Sequence, residues 1–202
     1  MDAHKLQLKI FLTPESARAV EAEAFVPVFH RWIKEHRLPE LLVDVASYAH
    51  VPEGPSVALI GHGSDYFIDA GAGRVGLVHS RKRSGFGPAE RLADLVRRTL
   101  HAAVLLESDP ALAGKLHFAT GELLFRINDR LLGPPTDATF AQVRPELEAL
   151  AGRLFAGTFE LTRVGGPKEL FAVRLVSPTA VPLATLLERA GGPPVKDASL
   201  VA

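Results

Sequence analysis

Four stretches of the chain repeat apolar residues at the 3.6-residue period of an amphipathic α-helix. The first begins at Thr13 and Pro14, a hydroxyl cap followed by a proline, which is tolerated at the first helical position. Pro27 falls inside the same apolar stripe and is expected to kink this helix. The other three stretches predict helices that begin near residues 88, 139 and 181. On the helix that begins near residue 88, we expect the charged side chains to face solvent, namely Arg91, Arg97, Arg98 and Glu107.

Short apolar runs separated by turn residues lie between these helices, and their composition is typical of β-strands. An alternating run also opens the chain within residues 1–12. The other runs cover residues 57–60, 66–68, 75–79, 116–119, 123–127, 159–164 and 170–176. Because most runs come in neighbouring groups between helices, the order predicts an α+β fold with a mainly antiparallel sheet, built from hairpins and covered by about four helices.

Two segments share one local pattern, which indicates a weak helix-hairpin internal repeat. Residues 116–125 and residues 159–171 both run from a strand through a glycine turn to Glu-Leu and an aromatic strand, and both follow a helix. We predict a single α+β domain over residues 1–190. A flexible C-terminal tail is predicted for residues 191–202, because the Gly-Gly-Pro at its start ends the last helix.

The overall composition argues against several classes of function. Among the 202 residues, 23 acidic and 23 basic side chains balance, so we expect no overall charge that attracts nucleic acid or an anionic membrane. The chain has no cysteine, which excludes disulfides, thiolate metal sites and cysteine nucleophiles. No apolar run reaches the roughly 18 residues of a membrane span, and the first residues do not resemble a signal peptide. A cytoplasmic location without a membrane partner is therefore expected.

A glycine-rich string at residues 71–78, Gly-Ala-Gly-Arg-Val-Gly-Leu-Val, matches the spacing of two phosphate-binding motifs. The dinucleotide motif G-x-G-x-x-G has to open a helix, whereas this string leads into a strand. The glycine loop of protein kinases needs a lysine in a following Val-Ala-x-Lys strand and later His-Arg-Asp and Asp-Phe-Gly motifs, which the sequence lacks. The string is therefore predicted to be a hairpin turn, and no cofactor follows from it.

Basic residues follow this string and lead into the helix that begins near residue 88. Arg81, Lys82 and Arg83 precede a glycine-containing loop, so the free amides of the helix N-terminus would lie beside them. Arg74 could reach the same place if the hairpin folds back. These residues form a candidate site for a small anion or phosphate, and the alternative interpretation is a solvated cationic strand end. Nucleic-acid binding is not expected, because no repeating pattern of aromatic and basic residues accompanies them.

The densest set of chemically reactive side chains lies between residues 44 and 69. His50, His62 and Asp65 could bind zinc, iron or manganese as a histidine-carboxylate set. A hydrolytic pairing of Ser64 or Ser47 with one of these histidines is a second hypothesis. The segment lacks His-x-His, His-Glu-x-x-His and Gly-x-Ser-x-Gly motifs, so a structural role in turns is the alternative interpretation. No particular cofactor is indicated.

These observations favour a non-catalytic binding or assembly protein, because no set of catalytic residues has the required spacing. Exposed strands could pair between subunits, so a protein partner or self-association is expected. A small anion is the second predicted partner. The alternative hypothesis is a metal- or His/Asp-dependent, hydrolase-like enzyme that uses His50, His62 and Asp65 on a small substrate such as a phosphorylated one.

Overall fold

The computed structural model of the chain describes residues 3–48, 55–82, 87–112 and 114–195. Within these ranges, eight strands form one antiparallel sheet and five α-helices pack against it. The predicted α+β class with a mainly antiparallel sheet is confirmed, with five helices in place of about four.

Helices and groups of strands alternate along the chain. The strands at both edges of the sheet belong to hairpins. In order they are β1 Leu6–Leu12, α1 Pro14–Ala19, α2 Phe25–Glu35, β2 Leu42–Ser47, β3 Pro55–Gly61, β4 Ser64–Asp69, β5 Gly76–Arg81, α3 Pro88–Glu107, β6 Phe118–Ile127, α4 Asp137–Phe155, β7 Glu160–Val164, β8 Phe171–Val176 and α5 Leu183–Arg189.

Strand β1 lies in the middle of the sheet, whose order is β2-β3-β4-β5-β1-β6-β8-β7. It pairs antiparallel with β5 on one side and with β6 on the other, so that Leu8 lies opposite both His79 and Phe125. Both neighbours come much later in the chain. In the described part of the chain, β1 therefore joins a meander of four strands to a three-stranded unit, and neither half contacts the other through another strand pair.

The helices cover one face of the sheet. Ile10 of β1 is fully buried in a core that also takes side chains from all five helices. Because side chains alternate along a strand, Gln7, Lys9 and Phe11 project to the other side, which we call the open face. Phe11 packs there in a small separate apolar cluster with Leu124. No described helix packs on the open face.

The first predicted helix is divided into two. α1 ends at Ala19, and a short 3-10 turn at Ala22–Ala24 precedes α2. The hydroxyl of Thr13 caps α1 by accepting the N–H of Ser16 at 3.2 Å, as the sequence predicts. Pro27 lies in the first turn of α2, where a missing N–H breaks no intrahelical bond, and so the chain turns before Pro27 instead of at it.

The hairpin predicted within residues 116–127 does not form, because β6 runs without a turn from Phe118 to Ile127. Gly121 lies inside this strand, where the carbonyl oxygen of Ser177 would be 3.0 Å from a Cβ at that position. Its glycine therefore reflects close backbone packing. The second segment does contain a hairpin, β7 and β8. The two segments differ in structure, which removes the basis for the internal repeat.

Strand β2 forms one edge of the sheet and is not predicted by the sequence pattern. Its register shifts between Leu42 and Asp44, so Val43 is an extra residue in a β-bulge and its side chain is 61% exposed. The carboxylate of Asp44 accepts the N–H of Val45 at 2.8 Å. A bulge and a locally satisfied amide both interrupt the row of free backbone groups that another strand would pair with.

The C-terminal tail predicted from residue 191 is described only as far as residue 195, and residues 196–202 lie outside the described residues. The single-domain prediction agrees with one continuous sheet but stays a prediction. None of the helices in the described ranges combines the length and the apolar character needed to cross a membrane.

The glycine string of residues 71–78 connects β4 to β5, which form the predicted hairpin. Gly76, its third glycine, lies directly opposite Phe11 of β1. A Cβ at Gly76 would lie 2.5 Å from the carbonyl oxygen of Ile10 and 2.9 Å from Cε of Lys9. Glycine is therefore needed here for close packing of the β5 and β1 backbones, and phosphate binding does not explain it.

We expect Gly76→Ala to destabilise the protein by about 2 kcal/mol, in the range for overpacked core positions, because β1 and β5 have to move apart. Gly87→Ala is the matched control, since no atom of the described residues lies within 4 Å of a Cβ built on Gly87. Urea unfolding of both variants measures the difference. Equal unfolding midpoints for the two variants would contradict the packing explanation.

Candidate functional site

The predicted histidine-aspartate cluster is only partly described. His50 lies outside the described residues. His62 is exposed in the turn between β3 and β4, while Asp65 lies on the open face and accepts a hydrogen bond from Nζ of Lys82 at 2.7 Å. Among the described residues, no group of three or more His, Asp or Glu side chains is arranged to hold a metal ion. The metal site therefore stays a prediction.

The predicted basic cluster does not converge in the described part of the chain. Arg83 lies outside the described residues. Arg81 projects to the helix-covered face, where its guanidinium forms a buried ion pair with Asp94 of α3. Lys82 also donates to the carbonyl oxygen of Gly61 at 2.6 Å. Each of these two cations is thus matched by a partner within the fold.

Arg74 takes a different direction from the one predicted. It crosses β1 on the open face, where its guanidinium lies 3.8 Å from the centre of the Phe11 ring and donates to Glu122 at 2.6 and 3.0 Å. Arg174 binds the same carboxylate at 2.7 Å. Burial by itself would raise the pKa of Glu122, but hydrogen bonds from Arg74 and Arg174 hold that pKa below its usual value. Arg74 and Arg81 therefore lie on opposite faces of the sheet.

A buried polar network occupies the helix-covered face near the β3–β4 turn. Ser64 and Tyr66 donate to the same oxygen of Glu40, at 2.5 and 2.8 Å. Nε2 of His79 lies 2.9 Å from the Ser64 hydroxyl, and its ring stacks on Tyr66 with 4.5 Å between centroids. All four residues are at most 4% exposed. The fold brings Ser64 together with His79, a histidine outside the predicted pairing of Ser64 with His50 or His62.

Both ring nitrogens of His79 face hydrogen-bond acceptors in this network. The single proton of Ser64 goes to Glu40, so on the Nε2 side Ser64 is left as an acceptor. The Thr99 hydroxyl donates to the Leu95 carbonyl at 2.7 Å, and Nδ1 lies 3.2 Å from both of those oxygens. Burial lowers the pKa of His79 to about 3, which keeps the imidazole neutral, and raises the pKa of Tyr66 well above its usual value.

The network continues into buried charges on α3, contrary to the predicted outward orientation of Arg91 and Arg98. Both arginines are less than 10% exposed. Arg98 donates from Nε to Asp94 at 2.9 Å and lies 3.8 Å from Glu40. Ser64 and His79 are buried in the described part of the chain, and the polar bonds of this network hold α3 against the sheet.

The open face carries a cavity of about 220 Å³, which we call the open-face cavity. Its lining residues come from four adjacent strands, β4, β5, β1 and β6, and are Gln7, Phe67, Asp69, Val78 and Arg126. Phe67 and Val78 give it an apolar wall, while the other three side chains supply an amide, a carboxylate and a guanidinium.

Lys9 holds one wall of this cavity in place. It is 1% exposed, and its ammonium donates to the Asp69 carboxylate at 2.6 Å, to the Asp69 carbonyl at 3.1 Å and to the Arg74 carbonyl at 2.7 Å. Burial lowers the pKa of Lys9, although Asp69 favours the charged form. The other oxygen of Asp69 accepts the N–H of Gly71 at 3.2 Å. Asp69 is thus fixed by both oxygens.

Arg126 stands apart from the other arginines of the open face. Its side chain is half-buried near the end of β6, but among the described residues it forms no hydrogen bond or ion pair. Arg74 and Arg174, by contrast, share Glu122. The positive charges of Arg126 and Arg74 both act to lower the pKa of Lys9, so the Arg126 guanidinium adds positive charge to the surroundings of an already matched Lys9–Asp69 pair.

A larger cavity of about 500 Å³ lies between the start of α3 and the middle of α4, lined by Pro88, Leu92, Glu146 and Arg153 among others. Its lining is mostly alanine, leucine and proline. Arg153 there is exposed to solvent, so its charge is hydrated. The open-face cavity is smaller, but it holds the half-buried cation and is therefore the stronger candidate for a ligand site.

Sequence reasoning missed Gln7, Lys9 and Arg126. Their positions in the strands could have indicated them. Gln7 and Lys9 alternate with buried apolar residues in the central strand, and Arg126 lies between two buried residues of β6. Polar residues at every second position mark the second face of a strand. They could be assigned to one site only when the strand order was known.

The comparisons with known proteins add no assignment. No protein-family model matches the chain, and no curated protein has significant sequence similarity to it.

We expect the stability contributed by neutral His79 to be fully present above about pH 6.5, the ordinary value for histidine in the unfolded chain, and to be lost as pH falls toward about 3. The unfolded chain binds the proton in this window and the native chain does not. The loss is at most about 1.4 kcal/mol per pH unit.

Urea unfolding of wild type and His79→Gln between pH 7.5 and 4.5 isolates this contribution. The stability advantage of the wild type over the variant should shrink as pH falls. His30→Gln, at an exposed position of α2, is the matched control for removal of a histidine side chain. A pH-independent difference for His79→Gln would contradict the buried neutral imidazole.

Proposed function

We propose that the chain is a non-catalytic binding protein and that it binds a small anion in the open-face cavity. The observation that carries the proposal is Arg126, a half-buried guanidinium without a hydrogen bond or ion pair among the described residues. A partly desolvated cation without a partner costs free energy. A bound anion would offset this cost through charge-assisted hydrogen bonds.

The neighbouring carboxylate does not supply that partner. Both oxygens of Asp69 are engaged, one by Nζ of Lys9 and one by the N–H of Gly71. The ion pair of Lys9 and Asp69 is neutral as a unit, so Arg126 leaves one net positive charge at the cavity. This charge supports an anionic ligand.

The lining supports binding without catalysis. It consists of an amide, a matched carboxylate, a guanidinium and two apolar side chains. The Gln7 amide is held in place because its Nε2 donates to the Ser80 hydroxyl at 3.1 Å. These groups can orient a ligand, but none of them is a nucleophile held by a general base.

The proposal moves the predicted anion site from the loop at Arg81, Lys82 and Arg83 to Arg126. It rests on the different pairing of these cations: Arg81 and Lys82 have carboxylate partners inside the fold. The alternative of an enzyme that uses His50, His62 and Asp65 stays a prediction, as does a cytoplasmic location.

Self-association or a protein partner also stays a prediction. The observation that supports it is the exposed apolar surface of the β2 edge, where Leu41, Val43 and Tyr48 are 42%, 61% and 41% exposed. The bulge at Val43 argues against continuous strand pairing there.

To test anion binding, acetate, benzoate and inorganic phosphate are titrated into the isotope-labelled protein at low salt, and the signals of Gln7 and Arg126 side-chain N–H groups are followed by NMR. At least one anion should show saturable shifts. Arg126→Gln should weaken that binding about tenfold or more, because a hydrogen bond to a charged group contributes roughly 1.5–3 kcal/mol.

Arg144→Gln is the matched control, since Arg144 is an exposed arginine of α4 whose partner Glu148 is also exposed. This variant should bind the anion as the wild type does. The proposal fails if none of the three anions saturates the protein, or if both arginine variants lose binding equally.

A further inference from the structure

We infer, on the basis of the proposed function, that the open-face cavity selects a carboxylate that carries one negative charge on a flat, apolar body. Phosphate monoesters and dicarboxylates are discriminated against. The inference combines three properties of the cavity: its volume, its net charge and the placement of Asp69 and Phe67 in its wall.

The volume sets the size of the ligand. A cavity of about 220 Å³ corresponds to about seven water molecules at roughly 30 Å³ each. Covalently bonded atoms lie closer together than water molecules, so the cavity holds about ten non-hydrogen atoms. This is below the range of drug-sized ligand sites, and it matches a single ring with one acidic group.

The net charge sets the charge of the ligand. Lys9 and Asp69 cancel, and Arg126 leaves one positive charge. A monoanion makes the site neutral. A dianion leaves a net negative charge in a cavity whose wall already contains the Asp69 carboxylate, and like charges in a partly desolvated site repel each other.

Asp69 discriminates against a second negative charge on the ligand because its carboxylate is held in one orientation. Its two oxygens are held by Lys9 at 2.6 Å and by the N–H of Gly71 at 3.2 Å, and its side chain is 14% exposed. A second negative charge on the ligand therefore meets a fixed carboxylate. Arg126 offers a planar fork of N–H groups, which suits the two coplanar oxygens of a carboxylate.

The apolar wall sets the shape of the ligand body. Phe67 is half-buried and Val78 is 4% exposed, and they lie side by side on β4 and β5 at directly paired positions. An aromatic or other flat ring can pack against this wall while its carboxylate reaches Arg126 on β6. Inorganic phosphate has no apolar body and gains nothing from Phe67.

The test compares ligands that share a ring but differ in charge. Benzoate, its neutral analogue benzamide, phenyl phosphate and inorganic phosphate are titrated into the wild-type protein at pH 8, where phosphate esters carry two charges. Benzoate should bind at least about tenfold more tightly than the other three ligands, which corresponds to 1.4 kcal/mol.

Two variants assign the selectivity to the wall. Asp69→Asn should raise the affinity for phenyl phosphate relative to benzoate, because the fixed negative charge is gone. Phe67→Leu should weaken benzoate severalfold and leave inorganic phosphate unchanged. Circular dichroism and urea unfolding establish whether each variant is folded. If Asp69→Asn unfolds because Lys9 loses its partner, Phe67→Leu and the ligand series test the carboxylate selectivity without it.

The outcomes separate this inference from the proposed function. Tighter binding of phenyl phosphate or inorganic phosphate than of benzoate, lost in Arg126→Gln, would overturn the carboxylate selectivity but keep the anion site. Equal binding of benzoate and benzamide would overturn both, because charge would then play no part. Absence of binding by all four ligands would overturn both as well.

Discussion

The whole sheet depends on hydrogen bonding along both edges of β1. This strand comes first in the sequence, yet its two partners, β5 and β6, lie much later in the sequence. In the described part of the chain it is the single link between the four-stranded meander and the three-stranded unit. Because β1 is central, all of its residues except Gln7 are buried, and even Lys9 on the open face is 1% exposed.

Burial of Lys9 has consequences for the open face. Its three N–H groups need three acceptors, and the connection between β4 and β5 supplies them through Asp69 and the carbonyl of Arg74. The same connection brings Arg74 over Phe11 to Glu122. One wall of the open-face cavity is therefore fixed by the need to satisfy a buried ammonium, and Arg126 is left as the unmatched charge on which the proposed function rests.

Charged side chains have different surroundings on the two faces of the sheet. On the helix-covered face, Glu40, Asp94 and Arg98 lie within one network whose hydroxyl and imidazole groups bond to one another, which is the arrangement that buried polar groups require. That network contains a serine next to a histidine, as hydrolases do, but both side chains are buried. On the open face a cation is partly hydrated and accessible, so the chemistry available to a ligand lies there.

The sequence by itself determined the fold class, the cap at Thr13, the start of α3 at Pro88 and the β4–β5 hairpin, because periodicity, capping and turns involve neighbouring residues. It misassigned Gly121 to a turn, since the reason for that glycine is the backbone of Ser177. Only the tertiary structure decided which side chains meet: Ser64 with His79, Lys9 with Asp69, and Arg126 with the open-face cavity. These contacts depend on strand order and on which face each residue takes, and both are set by burial of the whole sheet under its helices.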